Sequence, residues 1–544
     1  MKTKAVMLIV ALCACWSAEA QLSLVAGPTR SFGDRTVART FEIGNEGTYT
    51  LNWRTRLLRG VIERRSERVT GPGRVTLELN LPAVRARVEL VQDVQLAGGG
   101  RVVASGVFPL EIFPKEGIIQ WDREAPSPVL GVIDESNALA DFMEKAGWRI
   151  VRLKTNRQFV EVENGVVLVA ADQPESIAEP MIGLRAFVER GGTVVFLEQS
   201  AGRGSFFEAD ETWPVASREV GSSEPLMKGD HPLLLDLKTG DLANWGGTGR
   251  VSARPSEWTQ WPRQRAWLAS SRENSLPLLT EYWGDPAVED AAPMKGRVLL
   301  CQLDVGARLD DEPAAQLLLR NIIHYALEKP ATREFHVLRF AVPEDGLEND
   351  KFERLIRDPK PEDMEEALAF IFIVWAGEAA ERAHGAAREV YSSAGRTLII
   401  QSPFCDEMLA AVNRLIADRW PRDARKPAPS LTPHELPGDI ECEPDYANPL
   451  TWGIPADALN AAVAEAEDLR LLAPEEESPY FKVLTKPGIL AEYKQGDFRL
   501  ILCAMPVDDP ENKTRERVMN QVIANVAELL GKEKVNHVME RQTR

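Results

Sequence analysis

The chain has 544 residues, which at roughly 150 residues per domain predicts three or four domains. Hydrophobic residues make up 44% and charged residues 27%, a composition typical of globular proteins with several cores. The 82 Asp and Glu residues outnumber the 64 Lys and Arg residues, giving a formal charge of −18. This balance argues against a protein that coats nucleic acid or an anionic membrane, because both need a basic surface.

The first twenty residues have the pattern of a secretory signal. Lys2 and Lys4 precede a short apolar run, AVMLIVAL, and Ala18-Glu19-Ala20 has the small-x-small form of a cleavage site. We therefore expect residues 1–20 to be a signal peptide and the mature chain to start at Gln21. The protein would then be exported to the periplasm or the extracellular space.

A second interpretation of the same segment stays open. Leu12-Cys13-Ala14-Cys15 resembles a bacterial lipobox, so an alternative is a lipoprotein that carries lipid on Cys15. The apolar run of the signal is too short to span a bilayer, and no later apolar run reaches about 18 residues. The sequence therefore predicts no transmembrane span.

Residues 21–115 have a β pattern. Segments such as GRVTLELNLP and ARVELVQDVQL alternate apolar and polar residues, and glycine-rich turns separate them. Short strands at regular spacing without helical patterning predict an antiparallel sandwich. The alternation and the closing phrase ASGVFPLEIFP resemble the immunoglobulin-like accessory domains that flank family 2 glycoside hydrolases. That resemblance implies an all-β immunoglobulin-like sandwich over 21–115.

Residues 126–329 change to an alternating β and α pattern. The strands are apolar throughout, and amphipathic helices such as ESNALADFMEKAGW and EPAAQLLLRNIIHYALE separate them. Apolar strands that alternate with helices indicate a parallel sheet covered on both faces, a doubly wound α/β unit. The predicted strands are VLGVID, IVRLK, GVVLVAA, TVVFLEQS and RVLLCQLD.

Residues 330–532 repeat these landmarks in the same order, about 200 to 217 residues later. Asn448-Pro449-Leu450 corresponds to His231-Pro232-Leu233, and Cys503 in RLILCAMP corresponds to Cys301 in RVLLCQLD. Several landmarks in one order indicate an internal duplication. We therefore interpret 330–532 as a diverged copy of 126–329, followed by a polar tail over 533–544.

The order of elements resembles the class I glutamine amidotransferase-like fold, and the first copy is similar to the version found beside glycoside hydrolases. The phrases ERGGTVVFLEQ, Asp230-His231-Pro232-Leu233 and GRVLLCQLDVGARLDDEPAAQLLLRNII carry the resemblance. It implies two doubly wound, flavodoxin-like or amidotransferase-like units. It also implies an active site made of a cysteine on a strand-to-helix turn and a histidine oriented by a glutamate after the last strand.

Neither copy has these catalytic residues. The first turn, 197–202, contains no cysteine, and Gln302-Leu303-Asp304 after the last strand contains no histidine. In the second copy Cys405 lies beyond the expected turn, and Pro403 removes a backbone N–H that an oxyanion hole would use. The sequence therefore predicts that glutaminase chemistry is lost in both copies and assigns no catalytic residue.

Polar residues near the first turn are candidate ligand-binding groups. Glu198 and Gln199 follow a predicted parallel strand, at the edge where open α/β sheets bind ligands. A sugar is one ligand for this pair, and a solvated or interface loop is the other interpretation. A remodelled hydrolase site formed by Glu198, Ser200 and His231, acting on glycans or esters, is the enzymatic alternative. A structural, turn-capping role is the other interpretation of His231.

Tryptophans cluster between residues 245 and 283, and Trp245, Trp258 and Trp261 are the candidate ligand-binding rings. Aromatic faces stack on pyranose rings, and neighbouring amides hydrogen-bond the hydroxyls, so this stretch predicts a carbohydrate site. The competing interpretation is that the rings fill a contact with the sandwich domain or with a second chain.

The sequence predicts no cofactor and no metal site. It has no phosphate-binding Gly-x-x-x-x-Gly-Lys-Ser/Thr loop, no Gly-x-Gly-x-x-Gly after the VLGVID strand and no Cys-x-x-Cys spacing. Cys301 and Cys503 lie in apolar strands and are expected to be buried, whereas Cys405 and Cys442 could form a disulfide.

The function that follows from these patterns is a non-catalytic one. We expect an exported protein that binds carbohydrate or holds partner proteins together in polysaccharide degradation. Its partner would be a carbohydrate, a glycoside hydrolase or a second copy of the chain, and no nucleic acid. The hydrolase and a purely architectural subunit remain the alternatives.

Overall fold

The structure is a computed structural model, and it describes most of residues 21–328 and parts of 336–529. The gaps of the first part are 117, 121–126, 163–164, 173–181, 200–224, 228–230, 244, 246–263, 270–275 and 283–295. The second part comprises 336–342, 367–374, 397–401, 406–419, 428, 430–435, 441–446, 448–463, 470–474, 478–496, 498–505 and helical positions between 514 and 529.

The described residues form mostly β-sheet with few helices, divided among several sheets. None of the helices in these ranges combines the length and the apolar character that a bilayer span requires. The predicted signal, Cys15 and the tail over 533–544 lie outside the described residues.

The first sheet has six strands and is formed by the N-terminal part of the chain. Its order is β1-β3-β5-β6-β2, and β4 pairs with β3. All pairs are antiparallel except β2 with β6, so the predicted all-β domain is a β-sheet structure of the expected type. The strands are β1 Leu22–Ala26, β2 Arg30–Phe32, β3 Thr36–Leu57, β4 Gly60–Asn80, β5 Val88–Gly98 and β6 Arg101–Phe113.

The long strand β3 serves both halves of this sheet. Its first half pairs with β1 and its second half pairs with β5. Arg39, in the first half, is fully buried and donates a 3.1 Å hydrogen bond to Gln92 Oε1 of β5, which places the two halves against each other. Trp53 lies in the core between them, as its position within an alternating strand predicts.

The second sheet has eight strands in the order β11-β12-β13-β14-β10-β9-β7-β8. The five strands from β14 to β8 are parallel, and β11 to β13 continue the sheet in antiparallel fashion. The strands are β7 Val129–Ile133, β8 Arg149–Leu153, β9 Val166–Val169, β10 Thr193–Leu197, β11 Leu226–Met227, β12 Gln264–Ala269, β13 Pro277–Tyr282 and β14 Arg297–Cys301.

Helices cover both faces of the parallel strands. The helices are α1 Ala138–Lys145, α2 Ile182–Glu189 and α3 Pro313–Leu327. One face packs against α1 and α3 and the opposite face against α2, because alternate residues of each strand belong to two separate core clusters. This double coverage explains why the strands are apolar at every position.

The third sheet, in the second predicted unit, has six strands in the order β15-β16-β17-β24-β23-β21. The described elements of this unit are β15 His336–Val342, β16 Ala367–Val374, β17 Thr397–Gln401, α4 Asp406–Arg419, β18 Leu431–Glu435, β19 Glu443–Pro444, α5 Ala456–Val463, β20 Arg470–Pro474, β21 Phe481–Val483, β22 Thr485–Lys486, β23 Leu490–Gln495 and β24 Phe498–Cys503.

The pairings of the third sheet match those of the second. In the second sheet the pairs β12–β13 and β13–β14 are antiparallel, and the pairs β14–β10, β10–β9 and β9–β7 are parallel. In the third sheet the pairs β21–β23 and β23–β24 are antiparallel, and the pairs β24–β17, β17–β16 and β16–β15 are parallel. Leu197 pairs with Cys301 in the first unit, and Gln401 pairs with Cys503 in the second. The two sheets thus share one succession of pairings, and the duplication expected from the sequence stays a prediction.

A buried ion pair occurs at matched positions of the two units. Arg297 Nη1 lies 3.3 Å from Glu281 Oε1, and Arg499 Nε lies 2.8 Å from Glu492 Oε1. Arg297 is the first residue of its strand and Arg499 the second of its strand, and both glutamates lie on the antiparallel neighbour. A buried arginine needs a compensating charge, so this pair is a constraint that the two units have in common.

A proline turn is held in the same way in both units. His231 and Asn448 each accept a hydrogen bond from the backbone N–H two residues later, at 3.3 and 2.9 Å. Asn321 Nδ2 donates to the carbonyl of Leu235 at 2.7 Å, and Asn525 Nδ2 donates to the carbonyl of Trp452 at 2.7 Å. One helix asparagine thus satisfies the same turn carbonyl in each copy.

The first sheet and the first α/β unit, residues 126–329, are joined through Arg30. Its Nε lies 3.1 Å from Glu312 Oε1, and its other nitrogens donate to the carbonyl oxygens of Gly240 at 2.5 Å and Ala243 at 2.8 Å. Arg30 and Glu312 are both at least 95% buried. Glu312 also accepts from the Ala314 N–H at 3.3 Å, so the carboxylate that caps α3 also neutralises Arg30.

We predict that Arg30→Ala lowers the free energy of unfolding by about 3–5 kcal/mol, because it leaves Glu312 buried without its cation. Urea denaturation followed by fluorescence measures this change. Arg101→Ala, on an exposed turn of the same sheet, is the matched control and should change stability by less than about 0.5 kcal/mol. Equal midpoints for the Arg30 and Arg101 variants would contradict the assigned interface.

Candidate functional site

The carboxyl edge of the parallel strands is the place where the resemblance would put an active site, and two glutamines fill it. The backbone N–H of Gln199 donates to Gln302 Oε1 at 2.9 Å, and Gln302 Nε2 donates to the Gln199 carbonyl at 3.0 Å. Both residues are buried. The side chain of Gln302 therefore adds hydrogen bonds between β10 and β14 beyond Leu197 and Cys301, the last backbone pair of these two strands.

The Gln199 side chain extends this hydrogen-bond network to the end of the neighbouring strand β9. Its Nε2 donates to the Ala170 carbonyl at 2.8 Å and also to the Leu197 carbonyl. An oxyanion hole needs backbone N–H groups that point at a reacting atom, but the N–H of Gln199 is committed to Gln302. Gln199, predicted as a ligand-binding residue, thus lies in a structural network, whereas its neighbour Glu198 is half-buried.

No reactive thiol lies among the described residues of this edge. Burial raises the pKa of Cys301 to about 12, and burial also raises the pKa of Cys503. Only the thiolate is nucleophilic, so both groups are inert near neutral pH. Cys442 is a buried free thiol rather than half of a disulfide, and burial raises its pKa to about 11. Cys405 lies outside the described residues.

The crevice between β7 and β9, where the order of the parallel strands reverses, contains a carboxylate of the protein itself. Open sheets of this kind bind anionic ligands at such a point, on the N-terminus of the following helix. Here Asp134 Oδ2 accepts from the Leu139 N–H at 2.7 Å and Oδ1 from Ser136 Oγ at 2.7 Å. Asp134 therefore accepts the hydrogen bonds that a bound phosphate would need.

The residues of the hydrolase alternative do not come together. His231 packs edge-to-face against Tyr325 with ring centroids 4.9 Å apart, and the guanidinium of Arg297 lies 3.9 Å from the centre of the Tyr325 ring. Arg297 begins β14, whereas Glu198 follows the last residue of β10. The two ends of these five-residue strands are roughly 13 Å apart. His231 and Glu198 thus lie toward opposite edges of the sheet, and Ser200 lies outside the described residues.

Of the three candidate tryptophans, the structure describes Trp245 alone. Trp245 is fully buried and donates from Nε1 to the Asp241 carbonyl at 2.8 Å. Its cluster includes Phe32 and Phe113 of the first sheet. This location agrees with the interface interpretation, and a buried ring cannot stack on a sugar. Trp258 and Trp261 lie outside the described residues.

An open pocket that the sequence did not indicate lies on the first sheet. It has a volume of about 540 Å³, and we call it the outer pocket. Its residues come from β4, β3 and β5, so only the pairing of the strands brings them together. The residues that line it are Asn52, Trp53, Arg54, Arg64, Arg65, Ser66, Asp93 and Gln95.

We predict that iodoacetamide at pH 8 leaves Cys301, Cys442 and Cys503 unmodified in the native protein, because burial keeps the three thiols protonated. Mass spectrometry of peptides from the native and the guanidinium-unfolded protein measures the modification, and the unfolded sample is the control in which all three should react. Rapid native modification of Cys301 would show an accessible thiol at the strand edge.

Comparisons with known proteins give no family for this chain. No family model matches it, and no curated protein matches it. Solved structures align weakly: a PKD domain of an M14-like peptidase from Thermoplasmatales archaeon SCGC AB-540-F20 is 15% identical over 18% of this chain and 91% of that chain, with a TM-score of 0.13.

Two carbohydrate-active enzymes also align with the chain. A cycloisomaltooligosaccharide glucanotransferase from Paenibacillus sp. is 10% identical over 70% of this chain and 53% of that chain, with a TM-score of 0.18. A xyloglucanase from Bacteroides ovatus is 9% identical over 33% and 45% of the two chains, with a TM-score of 0.15. The chain thus spans about half of each enzyme, and similarity at this level supports no conclusion about its activity.

Proposed function

We propose that this protein is an exported, non-catalytic protein that binds a glycan, or holds partner proteins together, in polysaccharide degradation. In this proposal residues 126–329 and 330–532 are two doubly wound units related to class I glutamine amidotransferases that have lost their chemistry, behind an immunoglobulin-like domain. Export, by signal cleavage or as a lipoprotein through Cys15, belongs to the same proposal.

The reciprocal hydrogen bonds between Gln199 and Gln302 are the observation that carries the non-catalytic role. A nucleophile on a strand-to-helix turn needs an open edge, a free backbone N–H and a nearby base. At this edge of the first unit the N–H is paired, the edge carries two neutral amides and the nearest described thiol is buried. Gln199 and Gln302 are thus already used by the fold, whereas the neighbouring Glu198 is half-buried.

The outer pocket supports glycan binding better than the predicted tryptophan site does. It is open to solvent and is lined by amides, a hydroxyl and guanidinium groups, which hydrogen-bond sugar hydroxyls. Trp245, by contrast, belongs to the core that joins the first sheet to the first α/β unit. A glycoside hydrolase partner or a second copy of the chain would then use other surfaces.

We expect the purified protein to bind at least one member of a panel of neutral and acidic oligosaccharides and to turn over neither model esters nor nitrophenyl glycosides. Calorimetry measures binding, and absorbance measures turnover. Variants Trp258→Ala and Trp261→Ala test whether the tryptophan stretch contributes to the binding. Turnover that His231→Ala abolishes would overturn the non-catalytic role. A stable oligomer without any ligand would favour the architectural alternative.

A further inference from the structure

The outer pocket has a regular arrangement of polar side chains on one face of the first sheet. Asn52 pairs with Ser66 on β4 and with Gln95 on β5, and the next outward position of β3, Arg54, pairs with Arg64 and with Asp93. Directly paired residues of antiparallel strands project from the same face, and so do residues two apart. Three strands thus contribute two adjacent rows of three polar groups.

The opposite face of β3 and β5 is the core, which fixes the direction of this arrangement. Leu51 and Trp53 alternate with Asn52 and Arg54 and are buried together with Val94 and Leu96. A shift of one residue in the pairing would bury the charged set and expose Trp53. The outward orientation of the polar groups is therefore enforced by the packing of the sandwich.

The outward face is basic although the chain as a whole is acidic. Asp93 forms ion pairs with Arg54 and Arg56, each at 2.7 Å, and hydrogen bonds from Arg56 and Arg54 hold the pKa of the Asp93 carboxyl below its usual range. Asp93 is thus ionised at neutral pH and compensates part of the charge of these two arginines. Arg64 forms no ion pair with any residue that the structure describes.

The neighbouring positions add positive charge and an apolar contact. Arg68 pairs with Thr50 and therefore lies on the same face as Arg54 and Arg64. Val107, which pairs with Asp93 on β6, is 64% exposed. This part of the face carries four arginines and one carboxylate, an excess of three positive charges in a chain whose formal charge is −18. The arginines are Arg54, Arg56, Arg64 and Arg68, and the carboxylate is Asp93.

From this geometry we propose that the outer pocket binds acidic glycans, with Arg64 as the main contact to a carboxylate or sulfate group on the sugar. The guanidinium fork matches the geometry of such oxoanions, whereas Asn52, Ser66 and Gln95 hydrogen-bond hydroxyls. Val107 covers the apolar side of a pyranose ring. Nucleic acid is disfavoured by the net negative charge of the rest of the chain. This inference rests on the proposed glycan-binding function.

Calorimetry at low ionic strength tests the inference with matched ligands. The probes are a galacturonic acid hexamer, the same hexamer fully methyl-esterified, a sulfated galactan hexamer and a glutamate hexapeptide. We expect at least one acidic hexamer to bind about tenfold or more tightly than the ester, and its affinity to fall with added salt. A response to only one of the two acidic sugars identifies carboxylate or sulfate as the natural group.

Variants on β4 locate the site. Arg64→Gln should weaken binding of the acidic hexamer about tenfold. Arg74→Gln, an exposed arginine on the same strand that pairs with Glu42 at 3.4 Å, should leave binding unchanged. Both side chains are exposed, so both variants should unfold at the wild-type urea concentration, which excludes a loss of fold as the cause.

Four results would overturn the inference. They are equal binding of the acid and the ester, unchanged binding in Arg64→Gln, equal loss in Arg74→Gln, and binding of the glutamate hexapeptide as tightly as of the sugars. Preferential binding of a neutral glycan from the wider panel would overturn this inference and leave the proposed function standing. Absence of binding to every glycan, acidic or neutral, would overturn both.

Discussion

The carboxyl edge of the parallel sheet in the first unit depends on hydrogen bonds between amides. Three strands, β9, β10 and β14, end side by side, and their last backbone groups would be unsatisfied in a buried site. Gln199 and Gln302 satisfy them with neutral amides, so the described part of this edge is closed by hydrogen bonds beside the half-buried Glu198. The rest of the interpretation follows from this closure, since it moves the search for function away from the strand edge.

The two units share constraints that have no catalytic purpose. Each keeps a buried arginine at the start of its last parallel strand with a glutamate on the neighbouring strand, and each keeps a helix asparagine that fixes a proline turn. Replacing one partner of such a contact lowers stability, because the remaining group is then buried and unpaired. Stability alone therefore accounts for their presence in both units, and His231 belongs to this structural set.

The sequence predicted the local elements well and the long-range contacts poorly. Runs such as TVVFLEQS and RVLLCQLD are recognisable because strands buried on both faces are apolar at every position. The pairing of Gln199 with Gln302 joins residues 103 positions apart, and no local pattern encodes it. Trp245 illustrates the same limit, since an aromatic residue among polar neighbours is equally typical of a binding surface and of a domain contact. Arg64 belongs to a site only through the register of three strands.

The most direct measurement of the central claim is the stability of Gln302→Leu, which removes both hydrogen bonds from this side chain to the Gln199 backbone. Urea unfolding of the wild type and the variant gives the change in the free energy of unfolding. We predict a loss of about 1–3 kcal/mol, because the buried N–H and carbonyl of Gln199 are left without these partners. A Gln302→Leu variant as stable as the wild type would show that these hydrogen bonds do not close the edge and would contradict the central claim.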